Sequence, residues 1–163
     1  MNSNALLFSL GAFLLAGCAT TISGAPAKPA QAAALPPEEG GLALGALAEP
    51  GLPKGECGMV LWTLEESRPA PILRYIAGKS ADIVIGRAPA VLTLVEASGR
   101  SEFGVSEHQV FTTADRRRVK VDVAFGVGFD GGTYLERGLV TVETPDGWSN
   151  VAPSAGLAGC RAG

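Results

Sequence analysis

The chain has 163 residues, with 13 Lys and Arg against 16 Asp and Glu and a net charge of −3. That balance gives no basic footprint for nucleic acid, whose phosphates dominate the affinity of any binder. A single histidine and the lack of any Cys-x-x-Cys remove the usual zinc ligand sets, so no metal is expected.

The first element is an uncharged apolar run from Ala5 to Ala16, ALLFSLGAFLLA. It fits the roughly 7–15 residue core of a secretory signal and is short of the roughly 20 residues that span a bilayer as a helix. It ends in Leu15-Ala16-Gly17-Cys18, which resembles the lipobox of bacterial lipoproteins. The resemblance implies that residues 1–17 are a signal peptide and that Cys18 is the lipidated residue. In that family the cysteine thiol takes a diacylglycerol, the leader is cut before it, and the new amine is usually acylated. Two or more chains make attachment to the membrane durable, because each buried methylene contributes about 0.8 kcal/mol and one chain alone is marginal. Ala19 stands where Asp often signals retention in the inner membrane, so the resemblance implies the outer membrane, with the rest of the chain facing the periplasm. One departure is the segment Met1-Asn2-Ser3-Asn4, which carries no Lys or Arg.

Residues 18–54 read as a linker. Runs such as APAKPAQAAALPPEEGG and LALGALAEPGLP are rich in Ala, Pro and Gly and poor in β-branched and aromatic residues. Proline stops a helix from propagating and little is available to bury. As a flexible coil of about 36 residues the linker would span roughly 30–36 Å, and more where proline stiffens it. Leu42 to Leu47 is the one stretch able to form an apolar hook; a passive spacer is the expectation.

Residues 55–163 read as one β domain. Short runs of Val, Ile, Leu, Thr and aromatics alternate with turn signals. The expected strands are Met59 to Thr63, Ile72 to Ile76, Asp82 to Ile85, Val91 to Val95, His108 to Thr112, Arg118 to Phe125, Thr133 to Glu143 and a last one near Trp148 to Val151. The clearest is Arg118 to Phe125: Val119, Val121, Val123 and Phe125 share one face, and Arg118, Lys120 and Asp122 the other. Strict period two marks an antiparallel strand with one wet face. No ten-residue window shows helical periodicity. About eight short strands with brief turns predict an all-β fold, a small antiparallel barrel or sandwich. Export places Cys57 and Cys160 in an oxidising compartment, where such a pair forms a disulfide closing the domain end to end.

Signals for chemistry are few. His108 is a candidate general base, with Glu102 and Glu107 as carboxylates near it in sequence, but no Gly-x-Ser-x-Gly elbow accompanies it. The Gly126–Gly132 stretch lacks the Lys-Ser/Thr and following helix that cradle phosphate, and reads as a mobile hairpin loop. Arg116-Arg117-Arg118 reads as solubilising charge at a hairpin end, partly offset by Asp115 and Asp122. Trp62 is expected to pack in the first strand and Trp148 to cap the last turn.

Two further resemblances concern the β domain. The run Gly55-Glu56-Cys57-Gly58-Met59-Val60-Leu61-Trp62-Thr63, with Cys160, looks like a group of small uncharacterised exported proteins of alphaproteobacteria and implies no activity. In outline, a lipoprotein with a small disulfide-closed β domain is similar to the membrane-bound inhibitors of c-type lysozyme. Those present a Ser-Gly-x-Arg-Tyr loop to the enzyme's carboxylates. Ala97-Ser98-Gly99-Arg100-Ser101 offers Ser98, Gly99 and Arg100 but lacks the spacer and the Tyr. The expectation is therefore a lipid-anchored, periplasm-facing envelope protein without catalysis or cofactor. It would be held to the membrane through acyl chains on Cys18, with an envelope protein or peptidoglycan as partner. The alternatives are an inhibitor acting through a protruding Ser98-Gly99-Arg100 loop and a hydrolase using His108.

Overall fold

The computed structural model describes residues 41–65 and 67–163, which contain strands and no helix. The leader, the Leu15–Cys18 sequence and the linker up to residue 40 lie outside the described residues. The strands are β1 (Leu44–Gly45), β2 (Cys57–Thr63), β3 (Pro71–Ile76), β4 (Ala81–Ile85), β5 (Ala88–Glu102), β6 (Val105–Thr112), β7 (Arg118–Phe129), β8 (Gly132–Glu143) and β9 (Ser149–Cys160).

From β2 to β9 each strand pairs antiparallel with the next, and β9 returns to pair with β2. The result is a closed up-and-down barrel of eight strands, with β1 as an extra strand on β4. Closure removes every sheet edge among the eight, which is how such folds avoid unpaired backbone. The bends come from register shifts at Leu61/Trp62, Leu94/Glu96, Ser98/Ser101, Asp122/Ala124, Phe125/Gly128 and Leu135/Gly138. Each such bulge kinks its strand and increases local twist. The two-residue β5–β6 connection, Phe103-Gly104, has both residues at positive φ, 54° and 76°, the type I′ geometry that suits the twist of a hairpin.

The alternation on β7 places Val119, Val121 and Val123 inside, where they meet Leu61, Leu73, Phe111 and Val140 in one buried cluster. An eight-stranded barrel is just wide enough to be filled by side chains. Here Phe111 stands edge-on to Tyr75 with ring centroids 5.3 Å apart.

Three strands end later than expected, and β6 begins earlier, at Val105. β5 continues from Val95 to Glu102, absorbing its turn-like residues in bulges. β9 runs on to Cys160 through a stretch of small residues. β7 continues to Phe129, so the expected Gly126–Gly132 loop is reduced to the Asp130-Gly131 turn.

Residues 41–54, expected to be linker, form a strap on the barrel. Leu42 and Leu44 pack against the core, Gly86 N–H donates to the Ala43 carbonyl at 2.7 Å, and Leu47 N–H to that of Pro71 at 2.7 Å. Arg74 binds Asp82 Oδ2 through Nε and Nη2, at 2.9 and 2.7 Å, and turns Nη1 to the carbonyls of Glu49 and Gly51. Arg161 Nη1 donates to the Leu52 carbonyl at 2.7 Å. The strap ends at the seam where Cys57 and Cys160, register partners on β2 and β9, form the disulfide.

Candidate functional site

Two of the chemistry-bearing residues singled out from the sequence, Ser98 and His108, meet on the outer face of β5 and β6, beside β7. Ser98 on β5 is the register partner of His108 on β6, and His108 that of Asp122 on β7. Paired residues of antiparallel strands point to the same face, so the three form a transverse row. His108 Nδ1 donates to Asp122 Oδ1 at 2.7 Å. Gly99 sits in a bulge at φ 82°, where a Cβ would lie 2.9 Å from Glu107 and 3.2 Å from His108 Cδ2. Its missing side chain lets those two β6 residues lie across β5. Glu107 Oε2 accepts the Arg100 backbone N–H at 3.0 Å.

Arg100 is engaged. Its guanidinium pairs with Glu102 and stands 5.4 Å from the centroid of the Phe125 ring, a cation–π placement. The segment Ser98–Arg100 is therefore part of a strand and not the protruding loop expected, and its cation is already paired.

A Ser–His–Asp row has the order of a nucleophile, its base and the base's orienting group. Among the described residues, however, no hydrogen bond joins Ser98 to His108, and the His108 and Asp122 side chains are 59% and 48% exposed. In bulk water such a row lacks the desolvated, preorganised donors that stabilise developing charge. It offers a solvated hydrogen-bonded pair on a polar face. Asp122 was missed as the partner of His108 because alternation shows that it faces outward but not which residue lies beside it.

The β6–β7 turn is the most tightly tied of the connections. Thr113 Oγ1 donates to Asp115 and accepts from the Arg117 N–H at 2.9 Å, while Arg117 Nε meets Asp115 Oδ2 at 2.9 Å. The Thr113 hydroxyl holds the Asp115 carboxyl below its ordinary value of 3.8, outweighing the opposing effect of burial, and the Arg117 charge lowers it further. Arg117 of the expected basic run is thus consumed locally, and Arg118 reaches Glu96 at 3.4 Å.

Inside the barrel, Gln109 and Ser154 are buried with side-chain polar atoms that meet no hydrogen-bond partner. Outside it, an open recess of ≈ 320 Å³ follows the β2–β9 seam, walled by Leu52, Val60, Trp62, Phe129 and Leu157, with Arg161 at its rim. Among the described residues no group of three His, Cys, Asp or Glu is placed to hold a metal ion.

The chain matches no known protein family, no curated protein and no solved structure. Function has to be argued from its own residues.

Three exterior features then stand out: the polar β5–β7 row, the seam recess, and a run of exposed apolar side chains on β8 and β9. The last has no signature in sequence, because Val151, Pro153, Ala155 and Leu157 are scattered among glycines and alanines. Only the long β9 gathers them on one face.

Proposed function

We infer that this chain is a lipid-anchored envelope protein facing the periplasm, held by acyl chains on Cys18, with a barrel that acts by binding or by structure and without turnover. The observation that carries the reading is the Cys57–Cys160 disulfide at the barrel seam. Cytosolic thiols are kept reduced, whereas a small exported domain uses such bridges. The bridge thus supports the export reading of the Leu15-Ala16-Gly17-Cys18 sequence. The outer membrane is favoured by Ala19, and an envelope protein or peptidoglycan is the partner class that this location makes available.

Intact mass of the mature protein tests the anchor. The expected species begins at Cys18 with a diacylglycerol and an amide-linked acyl chain, and globomycin causes the uncut precursor to accumulate. A retained leader or an unmodified Cys18 would remove the reading. The inhibitor alternative draws no support from Arg100, which is tied to Glu102 and Phe125 within β5. The hydrolase alternative has the His108–Asp122 pair on its side, but on an open surface.

A further inference from the structure

The outside of the barrel is divided along its length. β9 contains no charged residue, and its outward side chains are Ser149, Val151, Pro153, Ala155 and Leu157. Register places Tyr134 and Val60 on either side of Leu157, Leu139 beside Pro153, and Thr141 beside Val151. On β8, charge is confined to Glu136 and Arg137 at the bulge and Glu143 at the end. Of the exposed large apolar side chains among the described residues, all but Leu64, Val91 and Val95 belong to this stripe, to the β7–β8 hairpin or to the β8–β9 turn. Those of the hairpin and turn are Val127, Phe129 and Trp148, with Phe129 stacked at 5.2 Å on Tyr134. The strands beyond β8, from β7 round to β5, by contrast carry Lys120, Asp122, His108 and Glu96 with their ion pairs, Lys120 reaching back to Glu143 at the end of β8.

We propose that the β8–β9 stripe is a membrane-facing surface, which lies on the headgroup region of the bilayer that holds the acyl chains. The proposal rests on the lipid anchor at Cys18 and goes further by orienting the barrel. Three observations favour lipid as the occupant. The described chain begins at Gly41, which shares a recess with Trp148 at one end of the stripe. Only 22 residues separate Cys18 from Gly41, and so short a tether raises the effective concentration of the barrel at the anchored surface, so a weak patch suffices.

The exposed aromatics Trp148 (75% exposed), Tyr134 and Phe129 lie on this side, and Trp and Tyr settle at headgroup depth because one end is apolar and the other polar. Finally, a stripe two or three strands wide and twelve residues long covers roughly 400–600 Å². That is about half to three quarters of the roughly 800 Å² per partner that a specific protein interface buries. A second copy of the chain is therefore poorly matched to it, while a fluid surface has no minimum area. Most of the exposed large apolar side chains thus lie on one side, with Val91 and Val95 of β5 as exceptions, which suits lying on a membrane.

The test uses the full acylated chain in vesicles of phosphatidylethanolamine and phosphatidylglycerol, with and without brominated acyl chains. Trp62→Phe leaves Trp148 as the only tryptophan. The expected result is that Trp148 emission falls at least about twofold in brominated lipid, as for an interfacial indole, and that Val151→Glu with Leu157→Glu restores it while the protein stays vesicle-bound. Equal Trp148 emission in both vesicle types, from protein whose mass shows acylated Cys18, overturns the orientation and leaves the anchor intact. Cross-linked dimers with unquenched Trp148 would give the stripe to a second copy and also overturn it. An unmodified Cys18 removes the anchor on which the orientation rests.

Discussion

Removing the disulfide is the most informative perturbation, because it tests the closure of the fold. Cys57 and Cys160 are 103 residues apart and directly paired at the seam that closes the barrel. In the chain-entropy account a loop of about 100 residues yields about 4.7 kcal/mol, drawn from the unfolded chain, with measured values more often about 2–4 kcal/mol. Against a net stability of about 5–15 kcal/mol that is a large share. Native contacts at the seam do not replace it: the Gly55–Arg161 and Arg161–Glu56 backbone bonds hold the same ends together only once folded. The comparison is urea denaturation of residues 35–163 as wild type and as Cys57→Ala with Cys160→Ala. With a urea dependence of about 1–3 kcal/mol per molar, the midpoint should drop by about 1–3 M, and reduced wild type should coincide with the variant. A shift below about 0.5 M with unchanged slope would refute the argument that loop closure in the unfolded chain is what the bridge supplies.

Further outcomes follow from particular side chains. Phe111→Ala removes a fully buried ring packed on Tyr75 and should cost about 3–5 kcal/mol in the same denaturation experiment. Gln109→Met replaces a buried amide without partners by an apolar side chain of similar size, and should be neutral or stabilising by about 1–3 kcal/mol; a clear loss of stability would show that the amide is satisfied. Asp115 has a folded pKa below its ordinary 3.8, so its contribution is complete above that value and is lost as pH falls through the folded one. The Tm deficit of Asp115→Asn should therefore be present at neutral pH and shrink under acid, with thermal melts across the range as the measurement. His108→Ala breaks an exposed pair and should move stability by no more than about 0.5–1 kcal/mol.

Much of this architecture was legible because period-two alternation reports burial directly. Val119, Val121 and Val123 fell on the inner face as read, and eight barrel strands with one disulfide were expected and found. What alternation does not carry is the register between strands, and so Ser98, His108 and Asp122 were not seen as one row. Strand length was lost wherever the residues were small or turn-like: Ser98-Gly99-Arg100 looks like a loop, yet continues β5 through a bulge. The strap was missed for a different reason. Arg74 and Arg161 recognise the backbone carbonyls of Glu49, Gly51 and Leu52, and a carbonyl is present at every position, so the recipient segment has no distinguishing composition.

A barrel filled by its own side chains must do its work on the outside, and the outside has two unlike halves. In the ring of eight strands β9 and β5 are four places apart, so a barrel resting on β9 turns β5 directly away from the surface beneath it. The polar row of Ser98, His108 and Asp122 would then face the periplasm. A partner meeting that face finds exposed hydrogen-bonding groups and paired charges instead of an apolar anchor. Recognition there would depend on polar complementarity and be weakened by salt. Under the proposed orientation the two halves have separable roles, one set against the membrane and the other open to a polar polymer or protein. Substitutions at Leu157 and at His108 should therefore act on different properties of the same molecule.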